Sequence, residues 1–176
     1  MKRNITILLT TLAIAVMIAC SGSDDWLDLR ENFVVKAGEL SKVPAKTELS
    51  PEPFIMGKLV VLTNSGNGFS ISDTFFDELK EVHARKPEDV GTVALLDCKK
   101  EKDGVYVSKT NPNDKVDAFK TRCELSLIDR AAQTVYFKKM FEAPIKEEAR
   151  GQGNYVFAGA ETEFEVRSFL KRLPKK

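Results

Sequence analysis

Phe119-Lys120-Thr121-Arg122-Cys123-Glu124-Leu125-Ser126-Leu127 alternates without a break. Phe119, Thr121, Cys123, Leu125 and Leu127 fall on one side of a pleated strand, and Lys120, Arg122, Glu124 and Ser126 fall on the other. A strand with one apolar and one wet face belongs to an antiparallel sheet. Upstream, Asn111-Pro112-Asn113-Asp114 is a turn signal. Before it lies a strand opening at Gly91-Thr92-Val93-Ala94-Leu95-Leu96. That strand continues, with a distortion around Asp103-Gly104, into Val105-Tyr106-Val107. Downstream, Asp129-Arg130-Ala131-Ala132-Gln133 turns the chain into another strand at Thr134–Phe141. Together these segments make an antiparallel meander.

Further out, Lys58-Leu59-Val60-Val61-Leu62-Thr63 is a β-branched run that reads as a strand covered on both faces. A helix is predicted to start near Ser72-Asp73, with a side-chain oxygen available as cap. Phe75, Phe76, Leu79, Val82 and His83 carry it at helical spacing, and Pro87 follows as a stop. A second helix is predicted from Thr162, where Glu165 completes the capping-box spacing. Its stripe is Val166, Phe169, Leu170 and Leu173, and Pro174 ends it. The expected fold is α+β: a meander with two amphipathic helices packed on one face, forming a single domain over 54–176.

The start of the chain follows other rules. Lys2 and Arg3 precede an apolar run from Ile5 to Ala19, which as a helix spans roughly 22 Å, short of a hydrocarbon core of about 30 Å. Residues 1–19 therefore read as a cleaved export signal. Met17-Ile18-Ala19-Cys20 resembles the lipobox of bacterial lipoproteins, with Met17 in place of the usual Leu. The resemblance implies cleavage before Cys20, a diacylglycerol thioether on its sulfur, and acylation of the new N-terminus. Several acyl chains together hold firmly where one is marginal. Residues 20–53, punctuated by Pro44, Pro51 and Pro53, are expected to form a lipidated, flexible linker. At about 30 residues it reaches at most about 100 Å. Trp26 is expected to tuck back on the domain. Ser21 lacks the Asp that resembles an inner-membrane retention signal, which points to the outer membrane, facing the periplasm or the cell surface.

The full chain is formally +1; without Lys2 and Arg3 it is about −1, no basic footprint for nucleic acid. Pro87-Glu88-Asp89-Val90-Gly91-Thr92-Val93 and Cys123-Glu124-Leu125-Ser126-Leu127-Ile128-Asp129 are similar to segments of uncharacterised bacterial exported proteins. The similarity runs from about Phe54 to Leu173 and implies no activity.

Cys98 and Cys123 are expected in a compartment where disulfides persist. A simple hairpin turning at 111–114 sets Cys98 opposite Leu127, an offset of about four residues or roughly 13 Å. The pair meets only if Lys99–Asp103 bulges out and absorbs that offset; otherwise two separate buried thiols result. His83 is the only histidine, which excludes a His-rich metal site; mid-helix, it reads as structural. Gly66-Asn67-Gly68 completes neither the dinucleotide nor the phosphate-loop pattern and reads as a turn. Asp73, Asp77, Glu78 and Glu81 read as a solvated acidic helix face. Lys138-Lys139, Lys171-Arg172 and Lys175-Lys176 read as solvated basic spots.

No catalytic set, cofactor or metal site follows from these residues. The expectation is a lipid-anchored envelope protein with a non-enzymatic binding or structural role and an envelope protein or glycan as partner. Strand edges, or the face bearing Tyr106 and Tyr136, would form the contact. The alternatives are a carrier of small apolar ligands and a carboxylate-dependent envelope hydrolase.

Overall fold

The structure, a computed structural model, describes residues 24–64, 66–108, 111, 113–143 and 159–176. The export signal, Cys20 and the glycine-broken stretch 146–154 lie outside the described residues.

Five strands form one sheet in the order β2-β1-β3-β4-β5: β1 Lys58–Asn64, β2 Phe69–Ile71, β3 Val90–Val107, β4 Lys115–Asp129 and β5 Thr134–Glu142. β3, β4 and β5 are the expected antiparallel meander. The pairing of β1 with β3 is parallel, however, so the sheet is mixed. The uninterrupted apolar run of β1 fits that place. Leu59 and Val61 point into one core layer and Val60 and Leu62 into the other, all fully buried.

Helices cover both faces, not one. Residues Asp73–Glu78 (helix α3, counting two helices before it) and Gly159–Lys171 (α4) bound the first layer, where Phe75, Leu79, Val166 and Leu170 meet Leu125 and Leu127. The opposite face carries α1 (Asp24–Leu29), which runs on through a π-helical turn at Arg30–Val34, and α2 (Ala37–Leu40). Leu29, Phe33, Ala37 and Leu40 are buried there against Val60, Leu62, Val93 and Ile128, with Trp26 partly buried beside them. The expectation of a flexible linker thus fails for residues 24–50. Each large apolar side chain so buried contributes roughly 1.5–3 kcal/mol, enough to hold a short helix that is marginal by itself. The proline-rich part is docked too. Lys46 N donates to Val135 O, Val135 N to Pro44 O, and Ser50 N to Tyr136 O, so residues 44–50 shield the first part of the β5 edge.

The helix predicted from Ser72 toward Pro87 stops early. α3 ends at Glu78, and Ser72 stands at its N-cap without a side-chain cap bond. Leu59 N donates to Val82 O and Ala84 N to Leu59 O. β2 reaches only Leu62–Asn64 of β1, so the remaining β1 edge takes Val82–Ala84 as an extended partner. Satisfying those backbone groups outweighs continuing the helix. α4 begins before Thr162, so the predicted capping box does not form. Thr162 is instead buried, with its hydroxyl 3.5 Å from Thr121 O.

Gly91 explains how Ile55–Gly57 lies so close to β3. A Cβ at Gly91 would stand 2.3 Å from Met56 O, a distance no side chain tolerates. One residue on, Thr92 accepts from Met56 N at 2.8 Å and donates to Met56 O at 3.1 Å. Arg130 donates to Pro87 O and Val90 O. Asp129 accepts from Ala131 N and Ala132 N in the β4–β5 turn. The stretches 87–93 and 123–129 are therefore one structural unit, paired at Thr92–Asp129 and Val93–Ile128.

Candidate functional site

β1 accompanies β3 only as far as Asp97, and β5 accompanies β4 only as far as Arg122. Past those points β3 and β4 continue as a two-stranded arm. It exposes Val105, Val107, Val116 and Phe119.

Cys98 and Cys123 stand directly opposite each other at the base of this arm, with Cα atoms 4.0 Å apart and the sulfurs bonded. That separation is close to the shorter spacing of an antiparallel ladder. The offset expected from a simple hairpin disappears for two reasons. The ladder closes at Val107–Lys115, with Ser108 N donating to Asp114 O, so the turn is centred earlier than 111–114. In addition, Asp103 is an unpaired extra residue between Lys102–Phe119 and Gly104–Ala118. The turn supplies most of the correction and the bulge the remainder.

One side of the disulfide opens into a cleft of about 470 Å³, lined by Gly66, Cys98, Lys99, Lys100, Thr121, Cys123 and Glu163. On the other side of the sheet, charges form a ladder across three strands. Lys120 lies 2.8 Å from Glu142 and 3.7 Å from Asp103; Arg122 sits between Glu101 and Glu142; Lys138 bonds Glu124 at 2.7 Å. The hydrogen bond from Lys120 is the main cause holding the Glu142 carboxyl below the usual carboxylate range, and the same bond raises Lys120. The Glu142 shift is opposite to what a general acid requires.

His83 is not in a helix. It is buried, in the extended segment beside β1, with its ring edge-on to Phe76. Nδ1 lies 2.8 Å from Ala84 O and so carries the proton, which leaves Nε2 to accept Val61 N–H at a long 3.4 Å. Burial is the first cause lowering its pKa, with a further contribution from Arg85. Its role is structural: the imidazole serves a strand N–H that lies between Val82–Ala84 and β2.

The acidic residues of α3 do not act together. Glu78 pairs with Arg167 at 3.1 Å and lies 3.8 Å from Lys171, tying α3 to α4. Among the described residues, no group of three or more His, Cys, Asp or Glu is placed to hold a metal ion. Gly66 and Gly68 have positive φ, as a turn requires. Tyr136 is buried, not a contact residue; its hydroxyl donates to Phe54 O, and burial pushes the phenol up to about 12. The basic spots are partly engaged. Lys139 lies over the rings of Phe141 and Phe169, and Lys176 over Phe54.

Between β5 and α4 lies a second cleft, of about 500 Å³, with exposed Met140 and Phe164 at its rim. Little in the sequence marks it. Its only signal was Phe164, an aromatic off the apolar stripe of α4.

No family model and no curated protein matches the chain. Among solved structures it is similar to protein XCC0632 of Xanthomonas campestris, described as a DUF330 protein. Identity is 10% and the TM-score 0.32, covering 73% of this chain and 85% of that one. A likeness this loose assigns neither fold family nor function.

Proposed function

We propose that this chain is a lipid-anchored protein of the bacterial envelope, acylated on Cys20, whose domain binds or braces another envelope component without catalysis. The observation that carries the reading is the Cys98–Cys123 disulfide, a bond that persists in exported proteins and is rare in the cytosol. It supports the export implied by Met17-Ile18-Ala19-Cys20. Because α1 starts at Asp24, only residues 20–23 separate the lipid from folded structure, a reach of at most about 14 Å. The domain then works at the membrane surface, with the β3–β4 arm and its exposed valines as the contact. Lysine-specific crosslinking in intact cells, followed by purification, tests this. One recurrent envelope protein or glycan, lost on Phe119→Asp and Val116→Asp, is the expected result; recovery of the uncrosslinked chain alone contradicts it.

A second reading, a carrier of small apolar ligands, is favoured by the cleft beside the disulfide. Native mass spectrometry distinguishes the two: a carrier retains bound lipid or fatty acid inside the domain.

A further inference from the structure

The last part of the β5 edge has a sequence that matches itself. Residues 44–50 shield β5 at Val135 and Tyr136, and among the described residues nothing runs beside Lys138–Glu142. Lys138, Lys139, Met140 and Glu142 are exposed. Two copies of this edge meeting about a two-fold axis must pair antiparallel, and side chains facing each other must share a sheet face. With the axis at Met140, Lys138 of each copy faces Glu142 of the other, extending the ladder in which Lys138 already meets Glu124 and Glu142 meets Lys120 and Arg122, and Lys139 faces Phe141. The registers centred one residue to either side set Lys139 on Lys139 or Phe141 on Phe141, and lose both ion pairs.

The helix above repeats the match. Ser168 of α4 borders the cleft beside Met140, with Phe164 and Arg172 one turn before and after it on the same rim. Two such faces crossing antiparallel bring each Phe164 to Arg172 of the second copy, an aromatic–cation pair around a small central residue. Among the described residues the other long open edge, β3 past Asp97, is guarded. Every register that pairs Lys99–Lys102 of β3 with itself sets at least one like-charge pair, because the residue on the axis meets its own copy, and the bulge at Asp103 interrupts the strand.

We propose that the β5 edge and α4 form the interface of a homodimer, in which two sheets join through Lys138–Glu142 about an axis at Met140. The pairing is short, so association depends on concentration; a shared membrane surface supplies it.

Light scattering on the full chain purified in detergent tests this by charge exchange. Wild type is expected to dimerise. Lys138→Glu alone and Glu142→Lys alone each place like charges at both ends of the pairing and weaken it roughly tenfold or more. An equimolar mixture of the two variants restores complementary charges and regains the dimer, which a loss of folding in either variant does not allow. Independently, Met140→Cys is expected to crosslink to dimer mass on mild oxidation, well above a Lys175→Cys control. A wild type monomeric at all concentrations, a mixture no more associated than its components, or equal crosslinking at 140 and 175 overturns the proposal.

Discussion

His83 accepts the backbone N–H of Val61 at 3.4 Å and gives its own proton to Ala84 O. The ring is fully buried in its neutral form, which fixes the sign of a pH effect. The folded pKa is below the ordinary 6.5, so the unfolded chain takes up the proton first as pH falls. Stability from this group is complete above 6.5 and is lost as pH drops from there toward the folded value. The slope is at most about 1.4 kcal/mol per pH unit. Thermal unfolding between pH 7.5 and 5.5 should show the decline. His83→Gln, which keeps an acceptor for Val61, should flatten the upper part of that range.

Reducing Cys98–Cys123, or changing both residues to Ser, should cost roughly 3.5 kcal/mol, the chain-entropy value for a loop of about 26 residues. Denaturant titration with and without reductant measures it. The loss should appear at unchanged sheet content, because the ladder runs paired across the disulfide from Thr92–Asp129 to Lys102–Phe119.

Phe33→Ala is expected to cost about 3–5 kcal/mol and Leu29→Ala about 2–5, the range for emptying a packed core position. A chain begun at Phe54 should expose Val60, Leu62 and Val93 and bind hydrophobic dye. Were residues 24–53 merely a tether, both substitutions would fall within about 0.5 kcal/mol of wild type.

Gly91→Ala forces a methyl into Met56 O and should destabilise by about 1–3 kcal/mol. Gly38→Ala, with open space around it, serves as the control. Equal midpoints for the two in urea would contradict the close approach of 55–57 to β3.

How much of this was legible depended on whether local pattern or long-range pairing decided the outcome. The strict alternation at Phe119–Leu127 located β4 and its neighbours, because a period of two admits one burial pattern. The apolar run of β1 announced cover on both faces, yet the second cover was missed. Trp26, Leu29, Phe33, Ala37 and Leu40 recur at three and four residues, but the charges among them and the prolines that follow made the segment look like linker. The helix through His83 was over-extended, since its spacing was helical while the free β1 edge, visible only in three dimensions, claimed Val82–Ala84. Register fails for the same reason. A turn displaced toward Ser108 and one extra residue at Asp103 bring Cys98 to Cys123, and neither has a unique local signature. As for the site, Cys98 and Cys123 stand out in the sequence as the two cysteines of the mature domain, whereas the edge formed by Lys138–Glu142 depends on where residues 44–50 dock.

Cys20 decides whether the domain is anchored at all. Intact mass and fragmentation of the protein extracted from native envelopes should find an N-terminus at Cys20 carrying a diacylglycerol thioether, and Cys20→Ala should abolish labelling by palmitate. A chain that retains residues 1–19 at its unmodified mass, and takes up no palmitate in a lipoprotein-processing host, would contradict the account.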